Sequence, residues 1–219
     1  MAPVWKRVLR RASGQDKLKP INLSYGAIPG LISGRALDEH YKLYTGYIDT
    51  LNRVDENIRA CPIPEKHQAD HPYRLLKEAE SFAIGGVLLH ELYFQNLTTT
   101  PSHALIYLDI EEAISNKWGS MESWWREMRA TALMARGWAV LGACEIDPTD
   151  LRVFMLDSHN VGAMFGYSPI AVIDCFEHSY WMDHGTDRET YLDRTFKALD
   201  ILEINKRYIE IMNAATARK

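Results

Sequence analysis

An α+β protein is what this sequence predicts: an N-terminal helical hairpin followed by an α/β half with a three-stranded antiparallel sheet. Three observations lead there. Two long stretches of helical periodicity occupy the first hundred residues, at 35–54 and 73–97. Three short apolar runs crowd into the second half, at 138–145, 151–156 and 170–173. Helices come first and strands follow as a group, which is not the alternation of a βαβ protein. The chain divides on this reading into a basic arm (1–19), a helical hairpin domain (20–100) and a C-terminal α+β domain (101–219).

The arm is rich in Lys and Arg and has no apolar segment of the kind a secretory signal needs, so it reads as a solvated extension. After a Gly- and Pro-rich loop, Ser33 stands where a helix cap is expected, and Leu37, Tyr41, Tyr44, Ile48 and Leu51 recur at steps of three and four. His40 lies on that helix among tyrosines. Pro62, Pro64 and Pro72 interrupt residues 57–72. The second helix starts amphipathic and becomes apolar almost all round, so its middle should be buried on several sides. Gly85-Gly86 inside it costs about 1 kcal/mol per glycine against alanine, so something should need the space. Gly86, His90, Tyr93, Phe94 and Leu97 share one face. Residues 96–102 read as a linker. Two short helices (within 108–135) precede the strands, and 188–215 reads as one closing helix.

Composition narrows the function. A net charge of −4 with Lys and Arg spread along the chain gives no reason to expect a nucleic-acid partner. No apolar run has the length of a membrane helix. Cys61, Cys144 and Cys175 are odd in number and form no CxxC, which fits a reducing, cytoplasmic setting.

The chemistry concentrates at residues 168–183. Ile170 to Ile173 form a buried strand that delivers Asp174 at its tip, and His178 follows four residues later. A buried carboxylate needs a neutralising partner, and a metal ion would serve. The same spacing also suits an Asp that caps a helix beside a core histidine, and the residues alone leave both open. His67 and His71 have the i, i+4 spacing of zinc ligands, but there is no HExxH and no cysteine pair.

Asp174-Cys-Phe-Glu-His-Ser-Tyr-Trp resembles the D-x-W-E-H-A-Y-Y signature of the iron/manganese superoxide dismutases. GGVLLHELYFQNL is similar to that family's G-G-H-x-x-H-x-x-F-W-x-N-L, ARGWAVL to its G-S-G-W-x-W-L, and the spacing from His178 to Arg188 and Tyr191 to its H-A-Y-Y…R-P-x-Y. The motifs run in the same order from about Pro29 to the C-terminus.

The resemblance implies a superoxide dismutase that disproportionates superoxide to oxygen and hydrogen peroxide, an antioxidant activity. It would cycle one Mn or Fe ion per subunit between M(III) and M(II), bound by His40, His90, Asp174 and His178. It also implies a solvent partner for the metal, supplied in the family by a Gln or His from one of two places. The helix-two place is Gly86 here, which tilts the metal choice toward manganese; the other, after the second strand, is His159. Tyr44 stands at the family's second histidine and Ile48 at its gateway tyrosine, so Tyr47 is the expected replacement if this helix lacks a bulge. Phe94, Trp138 and Phe176 would wall the pocket, with Arg188 near the site to attract a small anion. Glu177 would bridge two subunits beside Trp181, giving a homodimer or tetramer. The altered entrance leaves a second possibility, a diverged Mn or Fe redox enzyme acting on a larger substrate. A helical interaction protein with core histidines is a third.

Overall fold

The computed structural model describes residues 17–101, 108–162 and 164–218. The expected arm (1–19) lies outside these residues apart from its last three. Helix α1 (Gly34–Ala60) opens on the Ser33 side chain, which accepts from Ala36 N at 3.2 Å. It runs six residues past the apolar periodicity. Residues 55–60 are mostly polar and none is buried, so the apolar pattern does not register them, and the helix stops only as Pro62 forces Cys61 into extended backbone (φ −78°, ψ 131°).

Helix α2 (Pro72–Gln95) starts with proline at its first position, where the missing N–H costs nothing. His71 caps it: its Nδ1 accepts from Tyr73 N at 3.2 Å. That bond accounts for His71, and His67 and His71 join no cluster of potential metal ligands among the described residues. Helices α1 and α2 pack side by side as the predicted hairpin, and α2 leans on the sheet.

The second half begins with α3 (Asp109–Trp118) and α4 (Met121–Met134), separated by Gly119 in the left-handed region at φ 84°. Strands β1 (Trp138–Cys144), β2 (Leu151–Leu156) and β3 (Tyr167–Asp174) form an antiparallel sheet in the order β2-β1-β3. The third strand is longer than its apolar run because Pro169 sits at a bulge. Leu141 pairs with Ala171 but Gly142 with Pro169, so the proline interrupts no regular ladder position.

Register brings function-bearing residues to one end of this sheet. Trp138 opens β1, opposite Asp174 at the end of β3 on one side and Leu156 at the end of β2 on the other. Whatever follows Leu156 or Asp174 is therefore delivered to the same edge.

Three helices close the chain: α5 (Glu177–His184), α6 (Arg188–Lys197) and α7 (Ile201–Thr216). The single closing helix expected over 188–215 is thus two. Its break is made from outside: Thr98 N donates to Ala198 O at 2.9 Å and Asp200 N to Asn96 O at 2.7 Å, so the segment after α2 pulls the backbone out of helical geometry. Asp200 then caps α7 through Leu202 N and Glu203 N. Arg207 on α7 is buried and donates to Asn96 Oδ1 and to the carbonyl oxygens of Ile170 and Leu92. Asn96 in turn donates to Val172 O at 2.7 Å. The C-terminal end of α2 and strand β3 are thereby tied together through Arg207 and Asn96.

Candidate metal centre

Four groups from four elements meet at the sheet's edge. His40 comes from the second turn of α1, His90 from α2, Asp174 from the tip of β3 and His178 from the first turn of α5. Each offers one ligand atom, and these atoms all lie within 4.8 Å of one another. The Nε2 atoms of His40 and His178 are each 3.1 Å from Asp174 Oδ2, and that of His90 is 3.7 Å away. The other carboxylate oxygen, Oδ1, accepts from Phe176 N at 2.9 Å, which fixes the plane of the carboxylate. Asp174 does not cap α5, whose N-cap is Phe176 with no side-chain cap bond: one carboxylate oxygen holds the turn before the helix and the other faces the histidines.

Burial sets the charge states. His40, His90 and Asp174 are inaccessible to solvent, and His178 keeps a quarter of its side chain exposed. Burial drives His40 and His90 below the ordinary imidazole range, so both are neutral at neutral pH, the form that carries a free lone pair. Burial opposes ionisation of Asp174, but His178 and His40 outweigh it and hold the carboxyl far below its ordinary value. For His178, burial likewise opposes the charge and Asp174 outweighs it, raising its pKa.

Whether a metal fits can be judged from His90. Its Nδ1 lies 2.6 Å from Gly86 O, a carbonyl that can only accept, so the proton is on Nδ1. Nε2 is left with a bare lone pair aimed at the cluster, buried and without a hydrogen-bond partner. An orphaned acceptor in the core is costly unless something electrophilic takes it. Three nitrogens and a carboxylate oxygen around one point suit a divalent or trivalent first-row metal.

A second group of side chains stands beside His90. His159, from the loop after β2, is 5% exposed, and Trp138 Nε1–H donates to its Nδ1 at 3.0 Å. The indole has no acceptor role, so His159 carries its proton on Nε2. Burial pushes its pKa down to about 4. Tyr47 packs edge-on against His159 with ring centroids 4.7 Å apart, and lies 5.2 Å from His90. Helix α1 is α-helical throughout, so Tyr47, seven residues after His40, keeps to the same face. The space at Gly86 is not empty: a Cβ there would come within 2.8 Å of the Tyr47 ring. Burial, and then the Asp174 charge, raise the Tyr47 pKa, so it remains a phenol.

Aromatic rings form the walls. Phe94 lies 5.0 Å from His40, and Phe176 stacks on His178 at 5.3 Å while reaching His159 at 5.1 Å. Trp138 meets His90 edge-on at 5.0 Å.

Other residues singled out in the sequence occupy different surroundings. Tyr44 and Ile48 point into the core rather than toward an entrance: both are buried, and Tyr44 Oη donates to Glu91 Oε1 at 2.6 Å while accepting from Ile21 N at 2.9 Å. Arg188 donates to the carbonyl oxygens of Leu133, Ala135 and Cys175, which makes it a clamp on the turn behind Asp174. Glu177 and Trp181 are exposed, Trp181 by 55%, on the α5 surface next to His178.

Sequence reasoning assigns no role to Glu91 or Phe82, and places Tyr93 on the His90 face without naming its partner. Tyr191 Oη donates to Asp174 O at 2.9 Å and pairs with Tyr93 Oη at 3.2 Å, so two buried phenols brace the aspartate from behind. Phe82 has its ring 4.5 Å from His159. Its signal is present in the spacing, since 82, 86 and 90 share one helical face.

A buried cluster of three histidines and one aspartate, on a helical hairpin joined to a three-stranded antiparallel sheet, defines a protein built around a single metal ion. Residues 107–207 match the model of the iron/manganese superoxide dismutases, C-terminal domain. The chain is 36% identical over 213 residues to an iron superoxide dismutase of Aquifex pyrophilus, covering 94% of each chain. It is 29% identical to an iron superoxide dismutase of Tetrahymena pyriformis, over 87% of this chain and 98% of that one. Superoxide dismutase 1 of Halobacterium salinarum, a manganese protein by name, is 30% identical over 88% of this chain and 94% of its own. The chain belongs to the iron/manganese superoxide dismutase family.

Proposed function

We propose that the protein is a superoxide dismutase, converting superoxide to oxygen and hydrogen peroxide at one Mn or Fe ion per subunit held by His40, His90, Asp174 and His178. The observation that carries the ligand assignment is the His90 lone pair, buried, unpartnered and aimed at the three other groups. A bound Mn or Fe ion supplies one-electron redox chemistry, alternating between M(III) and M(II).

The chain's own residues do the rest. Asp174, itself buried, contributes the one negative charge among the four groups and would offset much of a bound metal's charge. The Phe176 N–H holds that carboxylate through Oδ1, and Tyr191 Oη holds the backbone carbonyl of the same residue. His159, with its proton fixed on Nε2 by Trp138, would donate a hydrogen bond to solvent at the site and so tune the potential of a bound metal. Tyr47, a phenol at neutral pH beside His159, would take the gateway role and hold a proton for transfer at the site. Phe94, Phe176 and Trp138 exclude bulk water around these groups.

Glu177 and Trp181 flank the one ligand with solvent exposure, and Met182 beside them is 47% exposed. This supports a second copy of the chain packed over α5, in a homodimer or a tetramer built from such dimers. Three free thiols fit a cytoplasmic, reducing setting for an antioxidant enzyme, and no described helix is long and apolar enough to cross a membrane. The helical hairpin (20–100) and the α+β half (101–219) are read as two domains that share the site.

The larger-substrate reading rests on Tyr44, Ile48 and Trp181; Tyr44 and Ile48 lie in the core, which leaves it only the exposed Trp181. The deciding experiment is superoxide dismutation per bound metal on protein loaded separately with Fe and with Mn. A rate near the diffusional range with one of them is the expected result. Full metal occupancy with negligible dismutation would overturn the proposal.

A further inference from the structure

We infer that Gly85 is a positioning residue: its missing side chain lets the loop that carries His159 lie directly on α2, and Phe82 one turn earlier holds the imidazole against that seat. The inference rests on the role proposed for His159 and explains how that residue is placed.

Glycine inside a helix is unfavourable, and Gly85 has no positive φ that would require it. Space is what it provides. A Cβ at position 85 would overlap the carbonyl oxygen of His159 and come within 2.7 Å of its carbonyl carbon. Both are backbone atoms, which cannot swing aside as a flexible side chain would. The same face of α2 holds the loop twice more: Asn160 Nδ2 donates to Ser81 Oγ at 2.9 Å, and the Phe82 ring packs on the His159 ring at 4.5 Å. The loop is itself closed tightly, with Asp157 N donating to Val161 O at 3.1 Å, so a push at residue 159 moves the whole turn. On its far side, the bond from Trp138 Nε1 to His159 Nδ1 fixes the imidazole. The helix that presents His90 thus also places His159, and the two keep a set separation although one stands on a loop. The adjacent glycines serve different neighbours, Gly86 making room for the Tyr47 ring and Gly85 for the His159 backbone.

The test uses the metal-loaded full-length protein and three variants, with His159→Ala as reference. Helix propensity alone makes Gly85→Ala stabilising. The seat predicts instead that its crystal structure shows the His159 turn lifted from α2 and the Trp138–His159 bond opened. Metal content should be retained, turnover should drop about tenfold or more, and the midpoint potential should shift. Phe82→Leu, at a partly exposed position, should shift both in the same direction by less and carries the test if Gly85→Ala does not fold. Phe82→Tyr keeps the ring and should restore wild-type values. If His159→Ala lowers turnover while Gly85→Ala and Phe82→Leu both leave the turn, the potential and the rate unchanged, the seat is wrong. If Gly85→Ala lifts the turn but neither it nor His159→Ala alters turnover, the seat stands and the role proposed for His159 falls.

Discussion

The four clustered ligand groups and the groups beside them are placed by different means. His40, His90 and Asp174 stand on long helices or a strand end, and His178 on the first turn of a helix that begins three residues after Asp174. His159 stands on a loop, and its position is set by what surrounds it: an indole on β1, a ring and a glycine on α2. The first set is determined by local periodicity and sheet register, the second by close approach between elements far apart in sequence. The difference predicts that the first set decides whether metal is held, and the second how well it works.

The largest effect should come from Asp174→Asn. Shape is kept but the charge is lost, and all activity should go with the metal, measured as metal per chain after purification. Next comes His159→Ala. Metal should stay bound while turnover falls about 10- to 100-fold and the potential shifts. Loss of metal from this variant would make His159 a ligand and erase the distinction between the two sets.

Smaller effects test the supports. Tyr44→Phe removes the hydroxyl that joins Glu91 to the Ile21 backbone N–H, and should cost about 1–3 kcal/mol in a denaturant titration with metal content unchanged. His71→Ala removes only a helix cap and should cost about 1 kcal/mol, again without change in metal content.

Acid should act on His159 with a definite sign. Its pKa is depressed in the fold, from 6.5 to about 4, so its contribution to stability is fully present above pH 6.5. As pH falls toward 4 the unfolded chain binds a proton that the folded chain does not, and stability is lost across that window. Denaturation midpoints between pH 7 and pH 4.5 should therefore fall less steeply in His159→Ala than in the parent protein.

Much of this is legible in the sequence. The hairpin helices and the strands announce themselves by period. The Asp174–His178 pair shows itself by an apolar run that ends in an acid. What the residues do not show comes from contacts between distant segments. The break between α6 and α7 is imposed by residues 96–98, although Asp200 with Glu203 is a local sign of it. Tyr44 looks like an altered entrance because the helix face it lies on is also the ligand face, and only the position of Glu91 turns it inward. Gly85-Gly86 reads as a demand for space, and the occupants stay hidden because one comes from α1 and the other from a loop some seventy residues later. The sequence tilts toward manganese on Gly86 alone. Tyr47 fills that position, and of the iron and manganese relatives described above the higher identity belongs to a protein named for iron.

The most direct test of the account is to strip the protein of metal by chelation and titrate it with Mn or Fe while following thermal stability. One ion per chain should be taken up, with a rise in melting temperature as the His90 lone pair gains its partner, and Asp174→Asn should show neither. A stripped chain as stable as the original, taking up no ion, would make these histidines core residues and contradict the account.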